Sequence, residues 1–171
     1  MVQLNKEELT EALKRIRIVL LDVDGVLTDG RIIYNDRGEE IKTFYVRDGL
    51  GIRLLIKSGI EVAVVTGRSS RALFHRCRNL GITRVHDGVR DKVAVLETIL
   101  AETGLDSRQA AFVADDLPDL GIMKQVGLSV AVADAAPLFA RAKLPPKAKR
   151  NLRGVLTVSL PDHSTDPRTE S

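Results

Sequence analysis

Polar side chains that could take part in catalysis or ligand binding are found at four points of the sequence. Each point lies at the end of an apolar run or at the start of a helical stretch. The motif DVDG opens with Asp22 and Asp24, and TGRS opens with the hydroxyl of Thr66. Lys92 begins a helical stretch, and DDLPD (115–119) adds further carboxylates. Ligands of an open parallel sheet bind beyond the carboxyl ends of its strands, so these side chains are expected to meet at one edge.

The combination of these residue types points to phosphoryl chemistry. Gathered carboxylates repel one another unless a cation holds them, and oxygen ligands without histidine or cysteine favour a hard cation, Mg2+ ahead of Ca2+. Thr66 and Lys92 would stabilise charge on a bound phosphoryl group. Asp22 would attack phosphorus as the nucleophile and form an aspartyl-phosphate. Asp24 would be the general acid/base, which protonates the leaving alkoxide and then deprotonates the attacking water.

Each motif alone also has a structural interpretation. DVDG can form an Asx-turn, TGRS is a common loop and helix start, and DDLPD can cap a helix. A calcium loop is disfavoured because the third acidic position and the distal glutamate are missing. A receiver domain holds similar residues, but its phosphorylated aspartate follows the third strand and its lysine comes last. Here the acidic pair comes first and the threonine, the lysine and a second acidic group follow, which favours a hydrolase.

The segments between the motifs alternate between strand and helix. Nearly continuous apolar runs predict buried parallel strands at 16–21, 60–65, 110–114 and 129–132. Helical patterns are found at 6–15, 50–58, 70–80 and 91–103. This alternation predicts an α/β fold with a doubly wound, Rossmann-like parallel sheet.

Two segments depart from the alternation. Residues 31–45 contain two strand-like runs around the turn-rich sequence NDRG, which predicts a β-hairpin projecting from the loop after the first strand. Residues 1–140 are predicted to form the domain, and residues 141–171 a divergent basic tail that is partly disordered. Within the tail, we expect a linker at 144–150 and one strand at 154–160.

Composition excludes several classes of protein. With 44% hydrophobic and 29% charged residues among 171, the chain is typical of a globular domain. No apolar run reaches the roughly 18 residues of a membrane helix, and no secretory signal is recognisable, so a cytoplasmic location without membrane contact is expected. The net charge of +3 arises from the tail, so no nucleic-acid partner is expected. The single cysteine, Cys77, excludes an intramolecular disulfide.

The four motifs resemble those of the haloacid dehalogenase superfamily of phosphatases over about residues 14–140. DVDGVLTDG, FYVRDGLGI, VTGRS and VGLSVAVADA are similar in particular to the 3-deoxy-D-manno-octulosonate 8-phosphate phosphatase subgroup. This resemblance implies a fold of the capless haloacid-dehalogenase type. It also implies a homotetramer in which protruding hairpins, here residues 31–45, form a barrel and a neighbouring subunit helps to cover each active site.

The resemblance further assigns roles to residues. Mg2+ would be held by Asp22, Asp115 and the backbone carbonyl of Asp24, and the phosphoryl oxygens by Thr66 and Lys92. The side chains and backbone expected to contact the sugar acid, besides Asp24 and Lys92, are Tyr45, Val46, Arg47, Asp48, Gly49, Arg53, Arg68 and Arg76. Guanidinium groups suit the carboxylate of such a substrate because they can bind it with two parallel hydrogen bonds.

The sequence departs from the family pattern at two places. Ala114 stands where the family has glycine before the paired aspartates, which adds a methyl group close to the metal loop. The Gly-rich, Arg-containing tail of the family, which enters a neighbour's active site, is replaced by the basic segment after residue 140. We expect the second change to reduce coverage of the substrate and to leave the chemical core intact.

The main functional hypothesis is a Mg2+-dependent phosphomonoesterase that converts 3-deoxy-D-manno-octulosonate 8-phosphate to the free sugar acid and phosphate, a step toward lipopolysaccharide. One alternative is the same chemistry on another acidic sugar phosphate, such as a nonulosonate 9-phosphate. A second alternative is a non-catalytic module that binds sugar phosphates and has a replaced tail. Hydrolysis of an aryl phosphate would distinguish an enzyme from a non-catalytic binding module. A panel of sugar phosphates would distinguish between the two proposed substrates.

Overall fold

A computed structural model describes residues 6–135 and 147–149, in which strands and helices alternate along the chain. The strands are β1 (Ile18–Leu21), β2 (Ile33–Tyr34), β3 (Glu40–Ile41), β4 (Glu61–Val65), β5 (Arg84–His86), β6 (Ala110–Ala114), β7 (Leu128–Ala131) and β8 (Lys147–Lys149). The α-helices are α1 (Lys6–Arg15), α2 (Val46–Lys57), α3 (Arg71–Leu80), α4 (Lys92–Thr103) and α5 (Leu120–Met123). Short 3-10 helices span Ser107–Gln109 and Leu117–Asp119.

Six of the strands form one parallel sheet in the order β5-β4-β1-β6-β7-β8, with β1 between β4 and β6. The chain moves outward from β1 to β5 and then returns to the other side of β1 at β6, so the strand order reverses between β1 and β6. Leu21, the last residue of β1, is level with Val64 in β4 and Val113 in β6. The predicted doubly wound α/β fold is confirmed, and the segments after these three strands meet at one edge.

Each face of the sheet packs against helices, which explains why β1 is buried at every position. On one face, Val19 and Leu21 belong to an apolar cluster that includes residues of α2 and α3. On the other face, Ile18 and Leu20 pack in a cluster with α4 and α5. A strand that alternates between two dry layers needs apolar side chains at successive positions, so its sequence is a continuous apolar run. Among the described residues, no helix is both long and apolar enough to cross a membrane.

The structure differs from the predicted elements at three places. Helix α2 begins at Val46, four residues before the predicted start, and includes Gly49. A methyl group at Gly49 would lie 2.3 Å from Nη2 of Arg76, so this glycine makes room for a neighbouring side chain and does not stop the helix. Strand β5 was not predicted, because it has three half-buried residues and no apolar run. Strand β8 pairs in parallel with β7 inside the predicted linker, whereas residues 154–160 lie outside the described residues.

The predicted hairpin is present as the two-stranded antiparallel sheet β2-β3, with shorter strands than expected. Its turn is held by Asn35, whose Oδ1 accepts hydrogen bonds from the backbone N–H groups of Arg37 (3.0 Å) and Glu39 (2.9 Å). Gly38 has a φ of +75°, a conformation that side chains disfavour. The turn residues close the hairpin, which brings the segment after β3 back toward the sheet.

Helix α4 carries Lys92, so its packing on the sheet bears directly on the site. Leu96 lies on this helix and is 0% exposed, whereas Leu13 on α1 is 41% exposed. We predict that Leu96→Ala lowers the free energy of unfolding by about 2–5 kcal/mol, since it leaves a cavity against the sheet. Leu13→Ala, a helical control with the same change, should cost less than about 1 kcal/mol. Urea denaturation measures both values, and equal losses would contradict the described packing.

Candidate active site

Three carboxylates meet at the carboxyl edge of the central strands. Asp22, Asp115 and Asp119 each offer an oxygen, and these oxygens all lie within 4.8 Å of one another. Asp22 is 8% exposed and Asp119 is 1% exposed. Carboxylates this close together and largely shielded from water repel one another strongly, so the arrangement requires positive charge nearby.

The backbone places these carboxylates through local contacts. The N–H of Asp22 donates to the carbonyl of Val113 at 3.1 Å, which extends the pairing of β1 with β6 by one residue. Asp115 follows β6 directly. The next residue, Asp116, caps the following 3-10 helix by accepting the N–H of Leu117 at 2.7 Å. This helix ends at Asp119 and returns its carboxylate to the same edge as Asp22.

Lys92 supplies the cation among these carboxylates. Its Nζ lies 2.9 Å from Oδ1 of Asp22 and 2.5 Å from Oδ1 of Asp119. Lys92 is the first residue of α4, and the side chain of Asp91 caps that helix by accepting the N–H groups of Val93 and Ala94. The predicted meeting of Asp22, Lys92 and the DDLPD motif is therefore found in the structure.

The pKa values show that one ammonium does not balance the cluster. Burial, together with repulsion from Asp22 and Asp119, raises the pKa of Asp115 to about 7. Burial and the charge of Asp22 also raise the pKa of Asp119, although Lys92 opposes them. Burial alone would lower the pKa of Lys92, but Asp22 and Asp119 outweigh burial and raise it. A hard divalent cation fits this site, because the donors are carboxylate oxygens and a single ammonium faces three carboxylates.

Gly25 lets the backbone pass directly beside the cluster. A methyl group at this position would lie 1.9 Å from Oδ2 of Asp115, well inside contact distance. The residue also has a φ of +82°, which favours glycine. The glycine of the DVDG motif therefore allows the first loop to approach Asp115, so that Asp22 and Asp115 lie on the same small site.

Thr66 follows β4 and is held from two sides. Its N–H donates to the carbonyl of His86 at 2.9 Å, and its carbonyl accepts the N–H of Val89 at 3.0 Å. These bonds tie the end of β4 to the end of β5 and the loop that follows. Thr66 is buried, and its hydroxyl is in contact with the N–H of Arg68 at 3.5 Å. The unpredicted strand β5 therefore helps to fix the position of Thr66.

Asp24 belongs to a second charged group that includes the hairpin. The ammonium of Lys42 forms an ion pair with Oδ1 of Asp24 and lies 3.3 Å from Oε1 of Glu40. Arg68 lies 3.2 Å from Glu40 through Nη2 and 3.7 Å from Oδ2 of Asp24 through Nε. The hydroxyl of Tyr34 accepts from Nη2 of Arg68 at 3.5 Å. We call the four charged residues among these, Asp24, Glu40, Lys42 and Arg68, the hairpin cluster.

Among the other residues predicted to bind the sugar acid, Arg68 is the one for which the structure describes a side-chain contact with Asp24. Nη2 of Arg76 donates to the carbonyl of Tyr45 at 3.1 Å, and its guanidinium lies over the ring of Phe44 at 5.8 Å. Nη2 of Arg53 donates to the carbonyl of Asn79 at 2.7 Å. The remaining predicted contacts stand at the start of α2, where Asp48 and Gly49 are buried and Val46 and Arg47 are exposed. A role of these residues in substrate binding stays a prediction.

Three residues of this region, Asp119, Lys42 and Glu40, were not predicted from the sequence to belong to the site. Asp119 stood in the DDLPD motif but was not predicted as a metal ligand, although its spacing from Asp115 spans one helical turn. Lys42 and Glu40 were assigned only to the hairpin. Their alternation around Ile41 places both on one side of a strand, which is the signal that would have paired them.

The sequence is similar to those of known phosphatases. A 3-deoxy-D-manno-octulosonate 8-phosphate phosphatase from Yersinia pestis is 47% identical over 133 residues, which are 78% of this chain and 71% of that protein. The chain belongs to this phosphatase family. The predicted family, and with it the assignment as a phosphatase, is confirmed. No protein-family model matches the sequence.

Solved structures of this family and its superfamily have the same fold. The Moraxella catarrhalis 3-deoxy-D-manno-octulosonate 8-phosphate phosphatase, in complex with magnesium, phosphate and 3-deoxy-D-manno-octulosonate (KDO), is 39% identical with a TM-score of 0.76. The match covers 78% of this chain and 76% of that one. A Legionella pneumophila protein assigned to the HAD (haloacid dehalogenase) superfamily hydrolases, subfamily III A, is 41% identical with a TM-score of 0.77; the match covers 79% and 74% of the chains. The prediction of a magnesium cofactor is confirmed at the level of the family.

Gly25 and Gly38 form a matched pair that tests the close approach of the first loop to Asp115. Both have positive φ, but a methyl group at Gly38 meets nothing within 4 Å. Alanine at either position should cost about 1–2 kcal/mol of backbone strain. Only Gly25→Ala should also weaken Mg2+ binding, by at least about tenfold, because it displaces Asp115. The rise in Tm on adding Mg2+ measures this binding. Equal Mg2+ responses of both variants would contradict the geometry.

Proposed function

We infer that this chain hydrolyses the phosphate monoester of 3-deoxy-D-manno-octulosonate 8-phosphate through a phosphorylated Asp22. The observation that carries this inference is the contact of Lys92 with both Asp22 and Asp119 beside Asp115. A buried carboxylate paired with an ammonium at the end of a central strand is suited to attack phosphorus. The ammonium beside it is suited to neutralise the charge of a phosphoryl oxygen.

The reaction has two displacements at phosphorus. In the first, an oxygen of Asp22 bonds to phosphorus and the bond from phosphorus to the sugar oxygen breaks. The carboxyl group of Asp24 gives its proton to that oxygen, so the sugar leaves as an alcohol. In the second, water attacks phosphorus and gives a proton to Asp24, and the bond to Asp22 breaks. Phosphate is released, and both aspartates return to their starting states.

A divalent cation would be held by the carboxylates of Asp22 and Asp115, with the backbone carbonyl of Asp24 as a further ligand. Asp119 would hold Lys92 in place and contribute to the negative field of the site. When bound, Mg2+ would neutralise charge on the phosphoryl group. Thr66 and Lys92 would bind the phosphoryl oxygens and orient them for attack by Asp22.

The choice of substrate is supported by family membership and by the Moraxella relative, whose structure holds Mg2+, phosphate and KDO. KDO carries a carboxylate, which suits the guanidinium groups of Arg68 and Arg76. We place the reaction in the cytoplasm, on the route to lipopolysaccharide, as part of the same proposal.

A homotetramer assembled through the hairpin is also part of the proposal. Five large apolar side chains are exposed on the hairpin, and they are Ile32, Ile33, Tyr34, Ile41 and Tyr45. An apolar surface of this kind, on a short sheet with two open edges, favours contact with another protein surface. Sedimentation analysis would give the mass of the assembly, and a monomer at micromolar concentration would contradict this part of the proposal.

Replacement of the two aspartates of DVDG tests the proposed roles. Asp22→Asn should abolish turnover, because an amide does not attack phosphorus and is a weaker metal ligand. Asp24→Asn should lower kcat by at least about a hundredfold. Asp36→Asn, in the exposed hairpin turn, is the matched control and should leave kcat unchanged. Phosphate release measures all three, and activity within about threefold of wild type for Asp22→Asn would exclude the covalent mechanism.

A substrate panel tests the proposed specificity. We predict a higher kcat/KM for 3-deoxy-D-manno-octulosonate 8-phosphate than for a nonulosonate 9-phosphate or a neutral sugar phosphate. EDTA should stop hydrolysis of every substrate, and Mg2+ should restore it. A preference for the nonulosonate ester would move the assignment to that substrate. Hydrolysis of none of them, with Mg2+ present, would favour a binding module.

A further inference from the structure

Lys42 is buried although it lies beyond the end of a two-residue hairpin strand. Only 2% of its side chain is exposed. An ammonium removed from water is costly unless it is paired, so its partners indicate what it does. Those partners are Asp24 and Glu40. The hairpin therefore delivers one cation to the general acid/base of the proposed reaction.

Asp24 depends on side-chain contacts for its orientation. It lies in the loop after β1, next to Gly25 with its positive φ, and outside any helix or strand. Lys42 contacts its Oδ1, whereas the described contact of Oδ2 is the longer one to Arg68, at 3.7 Å. Lys42 thus occupies one carboxylate oxygen and leaves the other available for proton exchange.

Both basic side chains of the hairpin cluster, Lys42 and Arg68, contact both of its acidic side chains, Asp24 and Glu40. Burial would raise the pKa of Glu40, but hydrogen bonds to Lys42 and Arg68 outweigh it and lower that pKa. Because its ammonium already contacts Asp24 and Glu40 and its side chain is buried, Lys42 is poorly placed to attract a substrate anion. It is well placed to hold a neighbouring side chain.

We propose that Lys42 is a positioning residue that holds Asp24 through Oδ1, so that Oδ2 exchanges the proton with the leaving oxygen and with water. This inference rests on the proposed function, because Asp24 transfers a proton only in that reaction. It gives the hairpin a role within its own subunit, in addition to the proposed contacts between subunits. Glu40 supports Lys42 by pairing with its ammonium, and Arg68 contacts Glu40 and Asp24.

The test compares Lys42→Met, which keeps the length of the side chain, with Lys42→Arg, which keeps its charge. Asp24→Asn is measured in parallel, and Arg37→Met removes an exposed cation from the same hairpin as a control. Thermal unfolding and oligomer mass show whether each variant is folded and assembled. Steady-state kinetics use the sugar phosphate, and stopped-flow kinetics use para-nitrophenyl phosphate.

The aryl substrate separates positioning from packing. Nitrophenolate leaves without a proton, so phosphorylation of Asp22 does not need Asp24, whereas hydrolysis of the intermediate does. Lys42→Met should therefore release nitrophenol in a burst approaching one per site, followed by slow turnover. With the sugar phosphate, its kcat should fall at least about tenfold with little change in KM. Lys42→Arg should recover part of this loss, and Arg37→Met should behave as wild type.

Several outcomes would overturn the proposal. A kcat of Lys42→Met within about threefold of wild type, while Asp24→Asn is impaired, would remove only the inference on Lys42. A rise in KM alone would show that Lys42 binds substrate. A lower rate without a burst, or a reduced amount of folded protein, would indicate a packing role. Wild-type protein without phosphatase activity would overturn both the proposed function and this inference.

Discussion

The structure of the site depends on the attraction between one buried ammonium and the carboxylates that surround it. Lys92 lies between Asp22 and Asp119, and Asp115 adds a third negative group within 4.8 Å. This arrangement needs β1 and β6 to end together, a helix that begins at Lys92 and a glycine at position 25. Each of these features depends on only a few residues. Together they create a site with more negative than positive groups. That excess of negative groups explains why a divalent cation fits at this edge.

The hairpin adds a second charged group to this edge. Lys42 and Glu40 reach Asp24 and Arg68, which come from the loops after β1 and β4. In the proposed reaction, the two charged groups have different roles. The sheet edge holds the nucleophile and the phosphoryl group, and the hairpin cluster holds the acid/base and one of the arginines expected to bind the sugar acid. A hairpin of two short strands, with little core of its own, is kept in place partly by these ion pairs.

Most of the sheet could be predicted from sequence, because strands buried on both faces leave continuous apolar runs, as at residues 110–114. The ends of those runs also predicted Asp22, Thr66 and Asp115. Three features escaped prediction for physical reasons. Strand β5 is short and half-buried. Gly49 lies inside α2, although glycine is more typical of turns. Lys42 pairs with Asp24, which is 18 residues away in the sequence. Contacts between distant segments leave no local pattern in the sequence, so the hairpin cluster is recognisable only in the structure.

The central claim is that Asp22 receives the phosphoryl group. It is tested most directly by mixing Asp24→Asn protein with Mg2+ and an aryl phosphate, quenching the reaction in acid within one turnover, and locating the phosphoryl group by peptide mass spectrometry. Since this variant retains the nucleophile and lacks the base for hydrolysis, the intermediate should accumulate. We expect one phosphoryl group, bound to Asp22. Aryl alcohol released with no phosphorylated peptide, or with the group on another residue, would contradict it.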